Sequence, residues 1–487
     1  MRPMTTSTGM LSDVRKIAAL AWPVLIGQLA VIAFGVIDTA MVGRFSATDL
    51  ATLGLGDSVY ISVYIGLTGI LVALQPIAGQ LFGAGRESEI GEETRQALWL
   101  AAVLAVIGFV LLYFPEPLLS LAKTPPALHD RTVDYLRILS FGLPASLAFR
   151  VYSSLTNAIS KPRLVMFLQV GGLLIKIPLN TWFIFGGFGV PALGGPGCAL
   201  ASTLINWVLA IVGMTVLSRF EFFRPFGGIF THFCWPVWRR QLALLRLGIP
   251  MGLSYLIEVT SYTFMALFIS RFGTTTLVGH QIAGNLGAVL YNMTPLSIGI
   301  ASSTLVSQAL GAERHDDARS ISRHSIGMAC VLALVYGVIL IVARPHVIAA
   351  YTPDANVIAA AMPLVLIIII IIIIIIFFFF FFFFFFFFFF FFFYHFCDAL
   401  QITTAFILRA YKVTLVPTVI YAVALWGIGL GGGYLLGFDV GGGVPAWLQG
   451  ARGFWIANSA SLGVAGVGLF IYWRRVSTRH LLVAQTR

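Results

Sequence analysis

Two segments of this chain, about 227 residues apart, share the same sparse landmarks. Pro23 returns as Pro250, Arg44-Phe45 as Arg271-Phe272 and, one position later in register, Gln80-x-x-Gly83-Ala84-x-Arg86 as Gln308-x-x-Gly311-Ala312-x-Arg314. A repeat this long constrains the fold more than any single motif, because each copy must be a workable structural unit. Both copies are too apolar for water. Of 487 residues, 59% are hydrophobic and only 10% charged, where soluble domains run near a quarter charged. Mean hydropathy is +0.94. Duplicated membrane halves with a site between them are the pattern of secondary transporters.

A helix rises 1.5 Å per residue, so about 20 apolar residues cross a hydrocarbon layer of about 30 Å. The sequence predicts twelve such spans, at 17–42, 51–81, 96–121, 132–157, 163–187, 195–217, 243–271, 277–307, 325–346, 357–408, 413–437 and 452–473. Six spans per copy return the chain to its starting side, so the repeats are expected to be parallel rather than inverted. The fold class is therefore an all-α integral membrane protein of twelve transmembrane helices in two parallel six-helix repeats. The expected division is an N-terminal lobe at 1–217, a linker at 218–242, a C-terminal lobe at 243–473 and a tail at 474–487.

The net charge of +11 does not point to nucleic acid, because the basic residues are sorted by side. With both termini inside, the inner segments hold Arg15, Lys16, Arg86, Arg239, Arg240, Arg314, Arg409, Lys412, Arg474 and Arg475 among others. The outer side keeps far fewer, and Arg150 and Lys176 fall within spans. This is the positive-inside asymmetry, and it predicts cytoplasmic termini. Residues 1–16 show no cleavage site of the signal-peptide kind. Cys198, Cys234, Cys330 and Cys397 are scattered and form no paired motif, which argues against zinc, disulfides and redox chemistry.

Ten isoleucines, Ile367 to Ile376, run into seventeen phenylalanines, Phe377 to Phe393. From Leu364 the apolar run is about 45 Å long as a helix, half as long again as the hydrocarbon core. Gln80 to Lys161 is 81 residues, whereas the matching Gln308 to Lys412 is 104. The excess of 23 falls in the interval that contains the run, so the 367–393 stretch is expected to be an insertion or a sequencing artefact without function.

A carboxylate in the middle of a span costs about 2.5–3.5 kcal/mol on insertion scales and is a functional candidate by default. Asp38, Asp57, Glu258 and Asp398 meet that description. Glu258 shares a helix face with Ser254, Ser261 and Tyr262, and Asp398 has His395 behind it and Gln401 ahead. The eighth span adds Gln281, Asn285 and Asn292 at spacings of four and seven, with Tyr291 near one edge. These residues outline a polar cavity with two carboxylates in the C-terminal half. Asp38 and Asp57 form a second acidic pair if the start of the second span places them at similar depth. The competing readings are Asp57 as a solvated helix-start residue, structural hydrogen bonds for Glu258 and Asp398, and a packed core histidine at His395.

Several stretches carry a family resemblance. They are AWPVLIGQ and VIDTAMVGRF near the start, QPIAGQLFGAGR at 75–86, FGVPALGGPGCALAS before the sixth span, GIPMGLSYLIEVTSYTF in the seventh, and FCDALQITTAFILRAYKVTLVP near the end. Together they resemble the multidrug and toxic compound extrusion (MATE) family, and its NorM-like branch most closely, over nearly the whole chain. The resemblance implies a V-shaped two-lobe transporter and a cation-coupled antiporter, driven by Na⁺ or H⁺, that exports cationic or amphipathic drugs across the bacterial inner membrane. It implies no cofactor beyond the coupling ion, small organic cations and the lipid bilayer as partners, and a monomer. Glu258 and Asp398 match the acids used for the coupling cation and would ligate Na⁺ if sodium is that ion. Tyr291 stands beside the cation path, Asp38 matches an acid tied to proton coupling, and Asp354 matches a position in drug or cation contact. Asp57 departs from the pattern, standing where a small polar residue is expected.

Two other functions compete with this reading. A lipid-linked oligosaccharide flippase needs several basic groups for a diphosphate, and the spans offer only Arg150 and Lys176. An intramembrane aspartyl protease is suggested by Gly54-Leu55-Gly56-Asp57 and Pro191-Ala192-Leu193. Such a GxGD pattern arises easily among 49 glycines, and a protease leaves the second repeat unexplained. The chain is expected to be a transporter and not an enzyme.

Overall fold

The computed structural model describes residues 9–121, 126–187, 189–226, 234–273, 276–281, 293–351 and 393–485. In chain order the helices are α1 (Met10–Phe45), α2 (Ala47–Leu71), α3 (Leu74–Gly83), α4 (Glu87–Tyr113), α5 (Glu116–Leu121), α6 (Pro126–Ala158), α7 (Pro162–Phe185) and α8 (Gly195–Arg219). There follow α9 (Trp238–Ile269), α10 (Met293–Gly311), α11 (His315–Tyr351), α12 (Phe393–Ala410), α13 (Leu415–Tyr421), α14 (Gly432–Gly437) and α15 (Ala451–Gln485). Wide π-helical turns over Ala422–Gly431 join α13 to α14. No strand occurs among the described residues, as expected where each backbone group must bond within its own segment.

Nine helical segments among the described residues are long and apolar enough to cross a membrane. Of the other three expected spans, the ninth lies within α11, and the eighth and tenth run partly outside the described residues. Several helices extend past the expected span boundaries, and two differences matter most. The second span begins at Ala47 rather than 51, because the Ser46 hydroxyl accepts from the Asp49 N–H at 3.3 Å and caps the helix. The third span, expected at 96–121, instead covers Glu87–Tyr113, and Pro115 separates it from α5.

The chain divides into two compact units. The first holds Trp22–Leu256 with Ser307–Glu313; the second holds Met1–Ala21, Ile257–Val306 and Arg314–Arg487. Both α1 and α9 therefore change unit along their length, and each contains one of the repeated prolines, Pro23 and Pro250. Proline removes one intrahelical bond and bends a helix, which a packed membrane protein tolerates.

In the first unit α6 is central, packing against α2, α4 and α8. On α4 the buried positions Leu100, Leu104, Gly108 and Leu112 recur at helical spacing, while Val103, Val106, Ile107 and Val110 face outward. Both faces are apolar, so hydrophobicity alone cannot orient the helix, and small residues do. A Cβ on Gly108 would collide with Leu143 and Leu67. Gly248 and Gly252 of α9 form a small-xxx-small pair against Gly66, Gly69 and Ile70 of α2, where a Cβ on Gly69 would stand 2.6 Å from the Gly252 Cα.

The described ends of the linker, 218–226 and 234–242, pack on the same unit. Phe223 and Phe226 are buried, and the Gln96 and Trp99 side chains of α4 donate to the carbonyls of Trp235 (3.1 Å) and Cys234 (2.9 Å).

Candidate ion-coupling site

Asp38 sits in the second half of α1 and is buried. Its Oδ2 accepts from the Lys176 ammonium at 2.6 Å and its Oδ1 from the Asn180 amide at 2.7 Å. Lys176 and Asn180 are one turn apart on α7, so a single helix face supplies both donors. The ammonium also donates to Ser202 Oγ of α8 at 3.0 Å and lies 5.0 Å from the centre of the Phe34 ring. Lys176 is itself buried, so the pair is fully removed from water. Deleting one partner of such a pair typically costs about 3–5 kcal/mol, because the other charge is left unpaired.

Asp57 lies beside this pair on α2, within its electrostatic field. The sequence reading placed Asp57 at the start of a span. The cap at Ser46 moves the start back, so Asp57 stands ten residues inside α2, roughly 15 Å along it. Its Oδ1 accepts from the Tyr135 hydroxyl of α6 at 2.8 Å. Gly56 is needed for that contact: a Cβ there would clash with the Tyr135 ring. The GxGD pattern thus has a packing explanation at Gly56.

In the second unit Asp398 is buried on α12, and its Oδ1 accepts from Gln401 Nε2 at 3.1 Å. With the amide so oriented, Gln401 Oε1 is buried and has no hydrogen-bond partner among the described residues. Glu258, partly buried on α9, lies within electrostatic reach of Asp398 and Arg409. Neighbouring α9 positions are pinned to the π-helical turns: Ser261 Oγ donates to the Leu425 carbonyl at 3.3 Å, and Trp426 Nε1 donates to Thr260 Oγ1 at 3.2 Å. Two carboxylates and an amide oxygen with no hydrogen-bond partner among the described residues are hard oxygen donors suited to a monovalent cation, and the nearby guanidinium leaves the group one net negative charge. Among the described residues no cluster of three His, Cys, Asp or Glu side chains forms that could hold a metal ion.

Of the other residues singled out in sequence, Ser254 is buried and its hydroxyl donates to the Pro250 carbonyl at 2.9 Å. Gln281 is exposed, and His395 is buried. Asn285, Tyr291, Asn292, Asp354 and nearly all of the Ile/Phe run lie outside the described residues. Lys176, Asn180 and Tyr135 were missed as partners of the acids, and Arg409, expected in an inner segment, is buried with its guanidinium 4.2 Å from the centre of the Phe406 ring. Lys176, engaged by Asp38, is not free to hold a diphosphate.

Asp49 of α2 is another buried acid of the first unit. Asp49 Oδ1 pairs with Arg131 and Oδ2 accepts from the Gly195 N–H at 3.3 Å, which ties α2, α6 and the start of α8 together.

Comparison with known proteins agrees with the repeat. The MatE family profile matches residues 23–182 and 250–387, once in each half. The chain is 38% identical to the probable multidrug resistance protein NorM of Aromatoleum aromaticum, over 96% of this chain and 95% of that one. It is 33% identical to the multidrug resistance protein PmpM of Pseudomonas aeruginosa, over 98% and 95%. The eukaryotic MATE transporter AtDTX14 has the same fold, with a TM-score of 0.82 at 18% identity, covering 98% of this chain and 99% of that one.

Proposed function

This chain belongs to the MatE family, and from that premise we propose that it is a cation-coupled antiporter exporting cationic or amphipathic drugs from a bacterial cell. As a family member it is a multi-pass membrane transporter and not an enzyme. The finer reading places it in the inner membrane as a monomer with both termini in the cytoplasm, moving substrate by alternating access. Inward flow of Na⁺ or H⁺ supplies the work.

The observation that carries this reading is the grouping in one unit of Glu258, Asp398 and the Gln401 oxygen that has no hydrogen-bond partner among the described residues. Ionised, the two carboxylates attract either a cationic drug or the coupling ion. Once the coupling ion neutralises them, the drug loses its counter-charge and leaves. Competition for one negative site couples the two flows. For Na⁺, the carboxylates and the Gln401 oxygen would be the ligands, whereas for H⁺ the carboxylates alone suffice.

The test is reconstitution into vesicles loaded with a fluorescent organic cation, with sodium and pH gradients imposed separately. Export driven by one gradient identifies the coupling ion. Glu258→Gln and Asp398→Asn, each folded, should abolish the driven component; retained export in both rejects this assignment.

A further inference from the structure

We propose that Lys176 is a tethered cation that keeps Asp38 neutralised, and that Asp57 is the carboxylate of the first unit that exchanges a mobile cation. This rests on the antiport reading above and says which acid of this unit takes part.

Both oxygens of Asp38 are occupied by donors, Lys176 Nζ and Asn180 Nδ2. The ammonium is equally engaged, by Asp38, by Ser202 and by the face of Phe34. A mobile cation arriving at Asp38 would have to expel a group that is covalently fixed beside it, and tethering raises the local concentration of that group far above any ion in solution. Expulsion would also strand a buried ammonium away from its counter-charge, which membrane interiors penalise heavily. Asp38 is therefore closed to exchange.

Asp57 differs on each count. It is only partly buried, and its one hydrogen bond among the described residues is that from Tyr135. The group has two carboxylates and one ammonium, so one negative charge remains after Asp38 and Lys176 cancel. It resides on Asp57. The second unit shows the same balance, with Glu258 and Asp398 against Arg409.

The experiment compares wild type, Lys176→Met, Lys176→Arg, Asp38→Asn/Lys176→Met and Asp57→Asn as full-length purified chains. Thermal unfolding is followed while sodium replaces choline at constant ionic strength. Lys176→Met opens Asp38, so its midpoint should rise with sodium by more than that of wild type and Lys176→Arg, and the double variant should lose the excess again. A folded Lys176→Met protein with the wild-type sodium response would overturn the proposal.

Vesicle export supplies the second readout. Asp57→Asn should lower gradient-driven export about tenfold or more, and the charge-balanced double variant should retain it. Wild-type export from Asp57→Asn, or loss of export in a folded double variant, assigns exchange to Asp38 and rejects the idea. If Lys176→Met does not fold, the double variant decides alone. If wild-type vesicles move no dye under either gradient, the antiport reading fails by itself, and the sodium response of Lys176→Met still decides whether Lys176 is a tethered cation.

Discussion

Gly83 lies directly against the backbone carbonyl of Gln308, and the relationship is reciprocal: Gly311 lies against the carbonyl of Gln80. The repeated Gln-x-x-Gly motif thus packs on its own second copy, at the ends of α3 and α10, within one compact unit. Gln308 adds a side-chain bond, its Nε2 donating to the Ala158 carbonyl at 2.7 Å. The landmarks that revealed the duplication in sequence are the residues that let the two copies meet.

A methyl group at Gly83 or Gly311 would meet backbone, which cannot swing aside. Gly83→Ala and Gly311→Ala should each destabilise the protein by about 1–3 kcal/mol or more, the range for overpacking. Gly54 has open space around a Cβ, so Gly54→Ala in α2 should be neutral or stabilising by helix propensity, about 0.5–1 kcal/mol. Thermal midpoints of the three purified variants check the contrast. Equal midpoints would refute the reciprocal contact.

Asp49 is almost fully buried, whereas Arg131, its partner, is half in solvent. Arg131→Ala leaves the carboxylate with the Gly195 N–H as its remaining partner from α8. The loss should be about 1–3 kcal/mol, below the full cost of breaking a buried pair because the guanidinium is partly screened by water. Unfolding at low and high salt tests this, since the gap between wild type and variant should narrow as salt rises.

Gln96 is fully buried on α4 and serves the linker with both ends of its amide. It donates to the Trp235 carbonyl and accepts from the Val237 N–H at 2.9 Å and from Gln241 Nε2 at 2.9 Å. Gln96→Leu keeps the bulk but strands these groups, at about 1–3 kcal/mol. Limited proteolysis should then cut the 218–242 segment faster than in wild type, and an unchanged cutting rate would count against this docking.

The membrane class, the duplication and the acids were legible because each leaves a local trace: apolar length, repeated landmarks, or a charge where none is cheap. Pairing across the fold leaves none. Asp38 and Lys176 are 138 residues apart, and nothing in the period of either helix says that they meet. One signal was present, since Lys176 and Asn180 put two polar side chains one turn apart in an otherwise apolar span. The burial of Arg409 was not legible either, because it follows the last apolar residues before a loop, yet α12 continues to Ala410 and buries it. Asp57 was placed at a span start because the Ser46 cap, five residues before the expected boundary, leaves no hydrophobic trace.

Gln401 offers a way to separate the two coupling ions. Its Nε2 bonds Asp398 and its Oε1 is buried without a hydrogen-bond partner among the described residues. A sodium ion at Asp398 needs several oxygen ligands, and Oε1 is a neutral oxygen already in the group; a proton needs only the carboxylate. Gln401→Leu removes that oxygen while nearly preserving volume. If sodium couples transport, the sodium concentration giving half-maximal export should rise about tenfold, the effect of losing roughly 1.4 kcal/mol of ligation. Gln401→Glu, which keeps an oxygen and adds charge, should not raise it. Under proton coupling Gln401→Leu should leave the sodium dependence flat, so the same titration distinguishes the two ions whichever one drives export.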